Sequence, residues 1–246
     1  MTSPRDRFLT VYGRRPVLEA LARRDLRVAK VLVSTAAQGP EVAEIERAAA
    51  VRGVEIRRVP PTEVTRVSRN GRHDQGVAAD VEAASMRGLD EWLAVGPPDP
   101  ATVVVLDGVT NPQNVGMILR TATAAGADGV VVPTAGVADL GPLVVKASAG
   151  VAFRAPILRA RTGAGAVDAL RSHGFRVYGL DPDARRSLYE QRPFADRSAF
   201  VLGGEHDGVR VEVDEVIGVP MAGGVESLNV AVAAGVVCFE LLRRRL

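Results

Sequence analysis

The sequence predicts a mixed α/β protein of two domains, and three observations support this. The 246 residues exceed the commonest domain length of about 100 to 150 residues. Segments with strand and helix periodicity alternate along the chain, which is typical of α/β folds. Strand segments in the second half are continuously apolar, as expected for strands buried on both faces of a parallel sheet. We expect an N-terminal α/β domain at residues 1–83, a linker at 84–100 and a parallel α/β domain at 101–246.

The N-terminal domain contains three predicted helices and three predicted strands. Pro16 lies near the start of the first helix and Gly53 closes the second, which are positions that these residue types favour. In chain order the elements are the helix RPVLEALARR, the strand VAKVLVS, the helix PEVAEIERAAAVRG, the strand VEIRRV, the helix PTEVTRVS and the strand QGVAADV. Together they predict a small, compact α/β unit.

The predicted linker, EAASMRGLDEWLAVGPPDPA, contains a short helix with Trp92 and the turn-forming sequence GPPDP. From Ala101 the alternation resumes. Its elements are the strand ATVVVLDGV, the helix NVGMILRTATAAGA, the strand GVVVP, a helix with VKASAG, the strand APILRA, the helix GAVDALRSHG, the strands FRVYGLD, AFVLGGE and EVIGVPM, and a last helix from about Ser227 to Arg245.

Composition excludes several classes of protein and site. The N-terminal residues lack a signal-peptide apolar run, and no segment reaches the roughly 18 apolar residues of a membrane span, so we expect a cytoplasmic protein. The single cysteine, Cys238, lies in an apolar run and is interpreted as a core residue. The histidines His73, His173 and His206 lack metal-ligand spacing, so we expect no metal.

Charge is distributed unevenly along the chain. Up to Arg87 there are 16 basic and 11 acidic residues, whereas 15 basic and 18 acidic residues follow. An N-terminal half that meets phosphates and an ordinary solvated basic surface both account for this difference.

Three loops follow predicted strands at their carboxyl ends, where open α/β sheets bind ligands. In the first, Asn114 is placed at a helix N-terminus, Gly116 allows close approach of another backbone, and Arg120 lies on the helix. An N-cap and a solvent-exposed arginine would explain this loop without any chemistry.

The second loop, VLGGEHDGV, sets Glu205 among Gly203, Gly204 and Gly208. A buried Glu205 would need a partner, whereas a tight turn with an exposed acid would not.

In the third loop, a glycine-rich segment leads into Glu226, Ser227 and Asn229 at the start of the last helix. Capping explains Ser227, but it does not require Asn229, which is a mediocre helix former.

Taken together, the three loops resemble the three signature motifs of the SpoU family, also called the TrmH family, of the knotted SPOUT methyltransferases. The order and spacing agree. The first motif, NxGxxxR, is present as Asn114, Gly116 and Arg120, the second as Gly203, Glu205 and Gly208, and the third as Pro220, Met221, Gly223, Val225, Ser227, Leu228, Asn229 and Val230. Two positions depart from the family pattern: His206, where many relatives have glycine, and Val219, where isoleucine is common.

The N-terminal segments VYGRRPVLEAL and HDQGVAA resemble the substrate-binding domain of the SpoU subgroup that methylates a guanosine ribose in 23S ribosomal RNA. That domain is similar to small ribosomal RNA-binding proteins. The resemblance therefore covers nearly the whole chain and implies RNA as the partner.

The resemblance also implies a deep trefoil knot that holds S-adenosylmethionine in a bent shape, and a homodimer with shared active sites. It implies that the backbone of Gly203, Val219 and Leu228 holds the adenine and ribose. The resemblance also places Gly204, Pro220 and Met221 in the cofactor loops and makes Arg120 the catalytic residue. The residues expected to support Arg120 or the target phosphate are Asn114, Glu205, Ser227 and Asn229.

Several alternatives stay open. They are a methyltransferase acting on the guanosine-18 ribose of tRNA, a ribosomal RNA methyltransferase conferring antibiotic resistance, and a non-catalytic RNA-binding factor of ribosome assembly. A Rossmann-type cofactor site is not expected, because no GxGxxG follows the early strands. An arginine side chain keeps its proton in proteins, which favours an orienting and electrostatic role for Arg120 over a general base.

Overall fold

The computed structural model describes residues 7–190, 193–204 and 207–246. They form two compact units, the first ending at Ala84 and the second comprising Ser85–Asp139 and Leu143–Leu246.

The first unit is a four-stranded sheet with helices, in the strand order β1-β4-β2-β3. Strands β2 and β3 are parallel, and β4 pairs antiparallel with β1 and with β2. Its elements are β1 (Phe8–Tyr12), α1 (Arg14–Ala22), β2 (Val28–Ser34), α2 (Pro40–Val51), β3 (Glu55–Val59), α3 (Pro61–Ser68) and β4 (Val77–Glu82). The three predicted helices and three predicted strands are confirmed within a few residues.

Strand β1 is the element that the sequence did not predict. Its five residues alternate, with Leu9 and Val11 buried, but five residues are too few for this pattern to stand out from the chain. Pairing with β4 along its whole length stabilises the strand.

The second unit is built on a seven-stranded sheet in the order β11-β9-β10-β6-β7-β8-β5, and every pairing is parallel. This confirms the predicted parallel sheet. Its elements are β5 (Arg87–Gly88), α4 (Leu89–Val95), β6 (Ala101–Asp107), α5 (Pro112–Ala124), β7 (Gly129–Pro133), α6 (Pro142–Ala147), β8 (Ile157–Ala160), α7 (Gly163–Ser172), β9 (Arg176–Leu180), β10 (Arg197–Gly203), β11 (Glu215–Ile217) and α8 (Val230–Arg245). All residues of β6 and β7 are buried, as the continuous apolar runs indicated.

The segment at 84–100, expected to be a linker, carries β5 and α4. Leu89, Trp92 and Leu93 are buried in the core of the second unit, where the Trp92 ring lies 6.0 Å from the ring of Phe175. Much of the segment is therefore part of a packed domain.

The strand order brings the proposed loops together. β11, β9, β10 and β6 are successive neighbours and run parallel, so their carboxyl ends meet at one edge of the sheet. The loops after β6, β10 and β11 are the three that carry the motifs.

Candidate active site

A cavity of about 510 Å³ opens at this edge of the sheet. Its volume is in the range of sites for small molecules, about 300 to 1,000 Å³. The described residues that line it are Leu180, Asp181, Pro182, Leu202, Gly203, Gly204, Gly208, Ile217, Val219, Met221, Ser227, Leu228, Asn229, Val230 and Ala233. They come from the ends of β9, β10 and β11, from the glycine-rich loop and from the first turns of α8.

One wall of the cavity is closely packed backbone. A Cβ atom on Gly203 would lie 2.0 Å from the carbonyl carbon of Gly208, and one on Gly204 would lie 2.4 Å from the carbonyl oxygen of Gly108. No side chain can be accommodated at either position without displacing main-chain atoms. Gly203, Gly204 and Gly208 line the cavity without a side chain, so a ligand there could be recognised by main-chain hydrogen bonds.

Asp107, the last residue of β6, binds the backbone of the segment that follows Gly208 and so holds it in place. Its Oδ2 accepts hydrogen bonds from the backbone N–H of Arg210 at 2.7 Å and of Val211 at 3.2 Å. The carboxylate is buried, and such hydrogen bonds satisfy it away from water.

Two asparagines join the loops of α5 and α8. The Nδ2 of Asn229 donates to the Oδ1 of Asn114 at 3.3 Å. The Oδ1 of Asn229 accepts from the backbone N–H groups of Ala231 at 2.9 Å and Val232 at 3.4 Å. Asn114 is only 3% exposed, although it does not line the cavity itself. Asn229 therefore connects the cavity to the buried start of α5.

The capping interpretation of Asn114 was wrong. Asn111 is the N-cap of α5, with its side chain accepting from the N–H of Gln113 at 2.9 Å, and Pro112 occupies the first turn. Proline is favoured there because the first turn needs no N–H donor from it, so the helix starts two residues earlier than predicted.

The expected start of the last helix was also wrong. Asn229 caps α8, which begins at Val230, whereas Ser227 precedes the helix and lines the cavity. Capping therefore explains in part why Asn229 occupies this position, because asparagine is among the best N-cap residues.

Gly116 allows the close approach that the sequence predicted. A Cβ atom there would lie 2.6 Å from the carbonyl oxygen of Val144 and 2.6 Å from the Cβ of Ala147. Helix α5 consequently packs directly against α6, which holds Asn114 in position.

The structure brings most of the proposed site residues together but not all. Gly203, Gly204, Val219, Met221 and Leu228 line the cavity with Ser227 and Asn229, whereas Pro220 is not among the lining residues. Arg120 lies on the exposed face of α5, six residues and about 9 Å along the helix axis from Asn114. Glu205 and His206 lie outside the described residues.

Sequence reasoning missed the loop after β9. Leu180, Asp181 and Pro182 line the cavity, and Asp181 carries the only charged side chain among the lining residues that the structure describes. The strand FRVYGLD was predicted, and its carboxyl end lies at the same edge as the three motif loops. The rule that identified those loops could therefore have found this one.

Further findings bear on other classes of site. Within 7–190, 193–204 and 207–246, no group of three or more His, Cys, Asp or Glu residues could hold a metal ion. No helix among the same residues has the length and apolarity needed to cross a membrane. Cys238 is buried on α8, which confirms the core interpretation, and burial raises the pKa of its thiol to about 12.

Family models match both units. The model of the SpoU rRNA Methylase family matches residues 101–239. A model described as RNA 2'-O ribose methyltransferase substrate binding matches residues 10–87.

Individual proteins are similar over most of the chain. The 23S rRNA (guanosine-2'-O-)-methyltransferase RlmB of Xanthomonas campestris pv. campestris is 39% identical over 225 residues, covering 89% of this chain and 90% of the relative. The crystal structure of the SpoU methyltransferase AviRb from Streptomyces viridochromogenes, in complex with the cofactor AdoMet, matches 98% of this chain and 92% of its own, with a TM-score of 0.64 and 26% identity. The AdoMet-bound rRNA methyltransferase from Sinorhizobium meliloti matches 98% of this chain and 88% of its own, with a TM-score of 0.66 and 26% identity. The extent of these matches, together with the arrangement of the three motif loops around one cavity, shows that the chain belongs to the SpoU rRNA methylase family.

Proposed function

We propose that this protein transfers a methyl group from S-adenosylmethionine to the ribose 2′-hydroxyl of a guanosine in 23S ribosomal RNA. The observation that carries the proposal is the cavity at the carboxyl edge of the sheet, bordered by Ser227, Asn229 and the Asn114 behind it. The similarity to a 23S rRNA guanosine-2'-O-methyltransferase at 39% identity supports the choice of RNA.

The residues of the cavity fit the cofactor. Its volume of about 510 Å³ suits a ligand of this size, and its glycine wall and apolar lining suit recognition of an adenosine by main-chain groups and packing. Gly203, Val219 and Leu228 would hold the adenine and ribose, and Gly204, Pro220 and Met221 would shape the surrounding loops. When bound, S-adenosylmethionine supplies the methyl group on a sulfonium centre.

Arg120 is proposed as the catalytic residue. The ribose oxygen loses its proton as it gains the methyl group, so negative charge develops on it and must be stabilised. An arginine fork can bind the neighbouring phosphate through two N–H groups and place positive charge beside that oxygen. Arg120 is thus proposed to position the neighbouring phosphate and to stabilise the negative charge on the ribose oxygen, and not to accept the proton.

The remaining site residues are proposed to support this arrangement. Asn114 and Asn229 align the start of α5 with the cavity through their hydrogen bond, and Ser227 offers a hydroxyl at the cavity surface. Glu205 is proposed to anchor an arginine or a loop. A normal rate for Glu205→Gln would support anchoring, whereas loss of transfer with intact RNA and cofactor binding would favour a role in proton removal.

A homodimer is proposed from the exposed faces of α5 and α8. These helices pack on each other, with Gly235 beside Thr121, and exposed apolar side chains flank this contact: Met117, Val232 and Phe239 are 41%, 53% and 50% exposed. Burying such a patch against a second copy would place Arg120, on the same helix as Met117, close to the interface. Sedimentation at micromolar concentration checks this, and a stable monomer would contradict a shared site.

Three further expectations follow the family. The first unit is proposed to bind the RNA substrate, supported by its match to the substrate-binding model. The chain after β10 is proposed to form the trefoil knot, supported by membership of the SpoU family. With ribosomal RNA as substrate, the protein is proposed to act in the cytoplasm.

The proposed function is tested by incubating the protein with total RNA and S-adenosylmethionine labelled on the methyl group, followed by mapping of ribose methylation. We expect label at a guanosine ribose in 23S ribosomal RNA. Label confined to tRNA would overturn the substrate, and absence of label from every RNA would favour the non-catalytic RNA-binding alternative.

A further inference from the structure

Asp181 directly follows the last residue of β9 and lines the cavity. Its N–H donates to the carbonyl oxygen of Ile217 at 3.1 Å, and its own carbonyl oxygen accepts from the N–H of Ala184 at 3.2 Å. The backbone of Asp181 is thus bound both to the end of β11 and to the turn that follows β9. These contacts fix the position of the residue at the cavity.

One of the two carboxylate oxygens of Asp181 takes part in this turn. Its Oδ1 accepts from the N–H of Asp183 at 2.8 Å. Aspartate and asparagine both stabilise turns by such a bond from the side chain to the backbone two residues on. The turn therefore accounts for an oxygen acceptor at position 181, but it does not account for the negative charge.

Other acidic side chains at this end of the sheet are compensated within the chain. Asp107 is buried and accepts two hydrogen bonds from backbone N–H groups. Glu215 on β11 forms a salt bridge with Arg186 at 2.8 Å. Asp181, in contrast, is exposed, and it forms no ion pair with a basic side chain among the residues that the structure describes. Its charge is therefore available to a ligand in the cavity.

The rest of the cavity lining that the structure describes is uncharged. It consists of apolar side chains, three glycines and the neutral polar residues Ser227 and Asn229. A carboxylate in such a cavity makes the potential there negative, and apolar walls reduce the screening of its charge by water. The cavity should therefore bind a positively charged ligand better than a neutral one of the same shape.

We propose that Asp181 raises the affinity of the cavity for the charged cofactor relative to the neutral product. The inference rests on the proposed function and adds a specificity-determining residue to it. S-adenosylmethionine has a positively charged sulfonium centre, whereas S-adenosylhomocysteine lacks the methyl group and has a neutral thioether at that position. The attraction by the carboxylate acts on the first ligand and not on the second, which favours the exchange of product for cofactor.

The test is Asp181→Asn, with Asp183→Asn as the matched control. Asparagine keeps the oxygen that accepts the turn hydrogen bond, so we expect the thermal stability to be unchanged. The control removes the same charge from an exposed side chain that is not among the described lining residues, and it keeps the backbone N–H that serves the turn. Calorimetric titration at low salt gives the Kd of each protein for S-adenosylmethionine and for S-adenosylhomocysteine.

Two unit charges about 4 Å apart in water attract each other enough to change an affinity about fivefold. We expect Asp181→Asn to weaken binding of S-adenosylmethionine by about three- to tenfold and to leave the Kd for S-adenosylhomocysteine nearly unchanged. The control should bind both ligands like the wild type. At a salt concentration of about 1 M, screening should bring the ratio of the two Kd values in the wild type close to that of Asp181→Asn.

Equal weakening of both ligands by Asp181→Asn would show that the carboxylate binds a group that they share, and would overturn the proposal. An unchanged ratio of the two Kd values, or the same change in the control, would also overturn it. Methyl transfer to RNA by the wild type reports separately on the proposed function. A chain that shows the expected change in the ratio but transfers no methyl group keeps the inference and loses the function, whereas a wild type that binds neither ligand loses both.

Discussion

The glycine wall of the cavity and the exposed faces of α5 and α8 present different chemistry to a ligand. Around Gly203 and Gly204 the backbone itself is the surface, and any side chain would collide with main-chain atoms. On α5 and α8 the surface is made of side chains, and Met117, Val232 and Phe239 are exposed there. Main-chain groups suit recognition of a small ligand by hydrogen bonds, whereas exposed apolar side chains suit contact with a second protein surface.

Arg120, the proposed catalytic residue, stands on the second kind of surface, because it lies on the exposed face of α5 and outside the described lining of the cavity. We expect Arg120→Lys to lower the rate of methyl transfer by about 100- to 1,000-fold, as removal of one preorganised electrostatic contact does in other enzymes. Lysine keeps the charge but loses the planar fork. Single-turnover transfer at saturating RNA and cofactor measures the effect, with Arg154→Lys, an exposed arginine elsewhere in the unit, as control. A near wild-type rate would contradict a geometric role for the fork.

The glycine wall is tested by Gly203→Ala. The added methyl group would lie 2.0 Å from the carbonyl carbon of Gly208, so the wall must shift. Overpacking costs a folded protein about 1 to 3 kcal/mol. A loss of that size in the free energy of binding would lower the affinity for the cofactor by about five- to 150-fold, which calorimetric titration measures. Gly165→Ala, where the nearest neighbour is a side-chain atom, the hydroxyl oxygen of Thr162 at 3.1 Å, serves as control. Equal affinities for the two variants would remove the argument for a main-chain wall.

Asn229 joins a structural and a functional role, which two substitutions separate. Asn229→Ala removes the N-cap of α8 and should lower the free energy of unfolding by about 1 kcal/mol. Asn229→Asp keeps the capping acceptor but removes the donor to Asn114, so stability should be retained while transfer falls by about fivefold. Denaturant unfolding and initial rates give the two quantities. If Asn229→Asp transfers at the wild-type rate, the asparagine pair has no part in the reaction.

The smallest expected effect concerns two arginines that form ion pairs with one carboxylate. Glu240 on α8 is bound by Arg243 at 2.7 Å and by Arg244 at 2.8 Å. The hydrogen bond from Arg243, aided by that from Arg244 and opposed by burial, lowers the pKa of Glu240 from 4.5 to about 2. A lowered pKa contributes stability that is complete above pH 4.5 and is lost as the pH falls through about 2.

Glu240→Gln should therefore lower the thermal midpoint slightly at pH 7, by an amount equivalent to at most about 1 kcal/mol, and the difference from wild type should shrink as the pH approaches 2. Thermal unfolding from pH 7 to 2.5 checks this. A difference that grows on acidification would show that the sign is wrong.

Much of the fold followed from local pattern, because buried parallel strands such as β6 and β7 are continuously apolar and their neighbours are helical. The edge that holds the site followed from strand order and motif position. What pattern could not supply was the detail of helix starts: Asn111 and Asn229, and not Asn114 and Ser227, are the caps. Several polar residues stand in each loop, and only three-dimensional packing selects between them.

One contribution to the cavity could have been found from the sequence but was missed. Asp181 lines the cavity although FRVYGLDPD contains no recognised motif. Its position after the carboxyl end of a predicted strand was the available signal.

The most direct test of the proposed division between the cofactor cavity and the catalytic arginine on α5 is a paired measurement on Gly203→Ala and on Arg120→Lys. For each folded protein, the Kd for S-adenosylmethionine and the single-turnover rate of methyl transfer at saturating RNA and cofactor are measured. We expect Gly203→Ala to lose affinity for the cofactor, and Arg120→Lys to keep that affinity and lose the rate of transfer. Loss of cofactor affinity in equal proportion by the two variants would contradict the account.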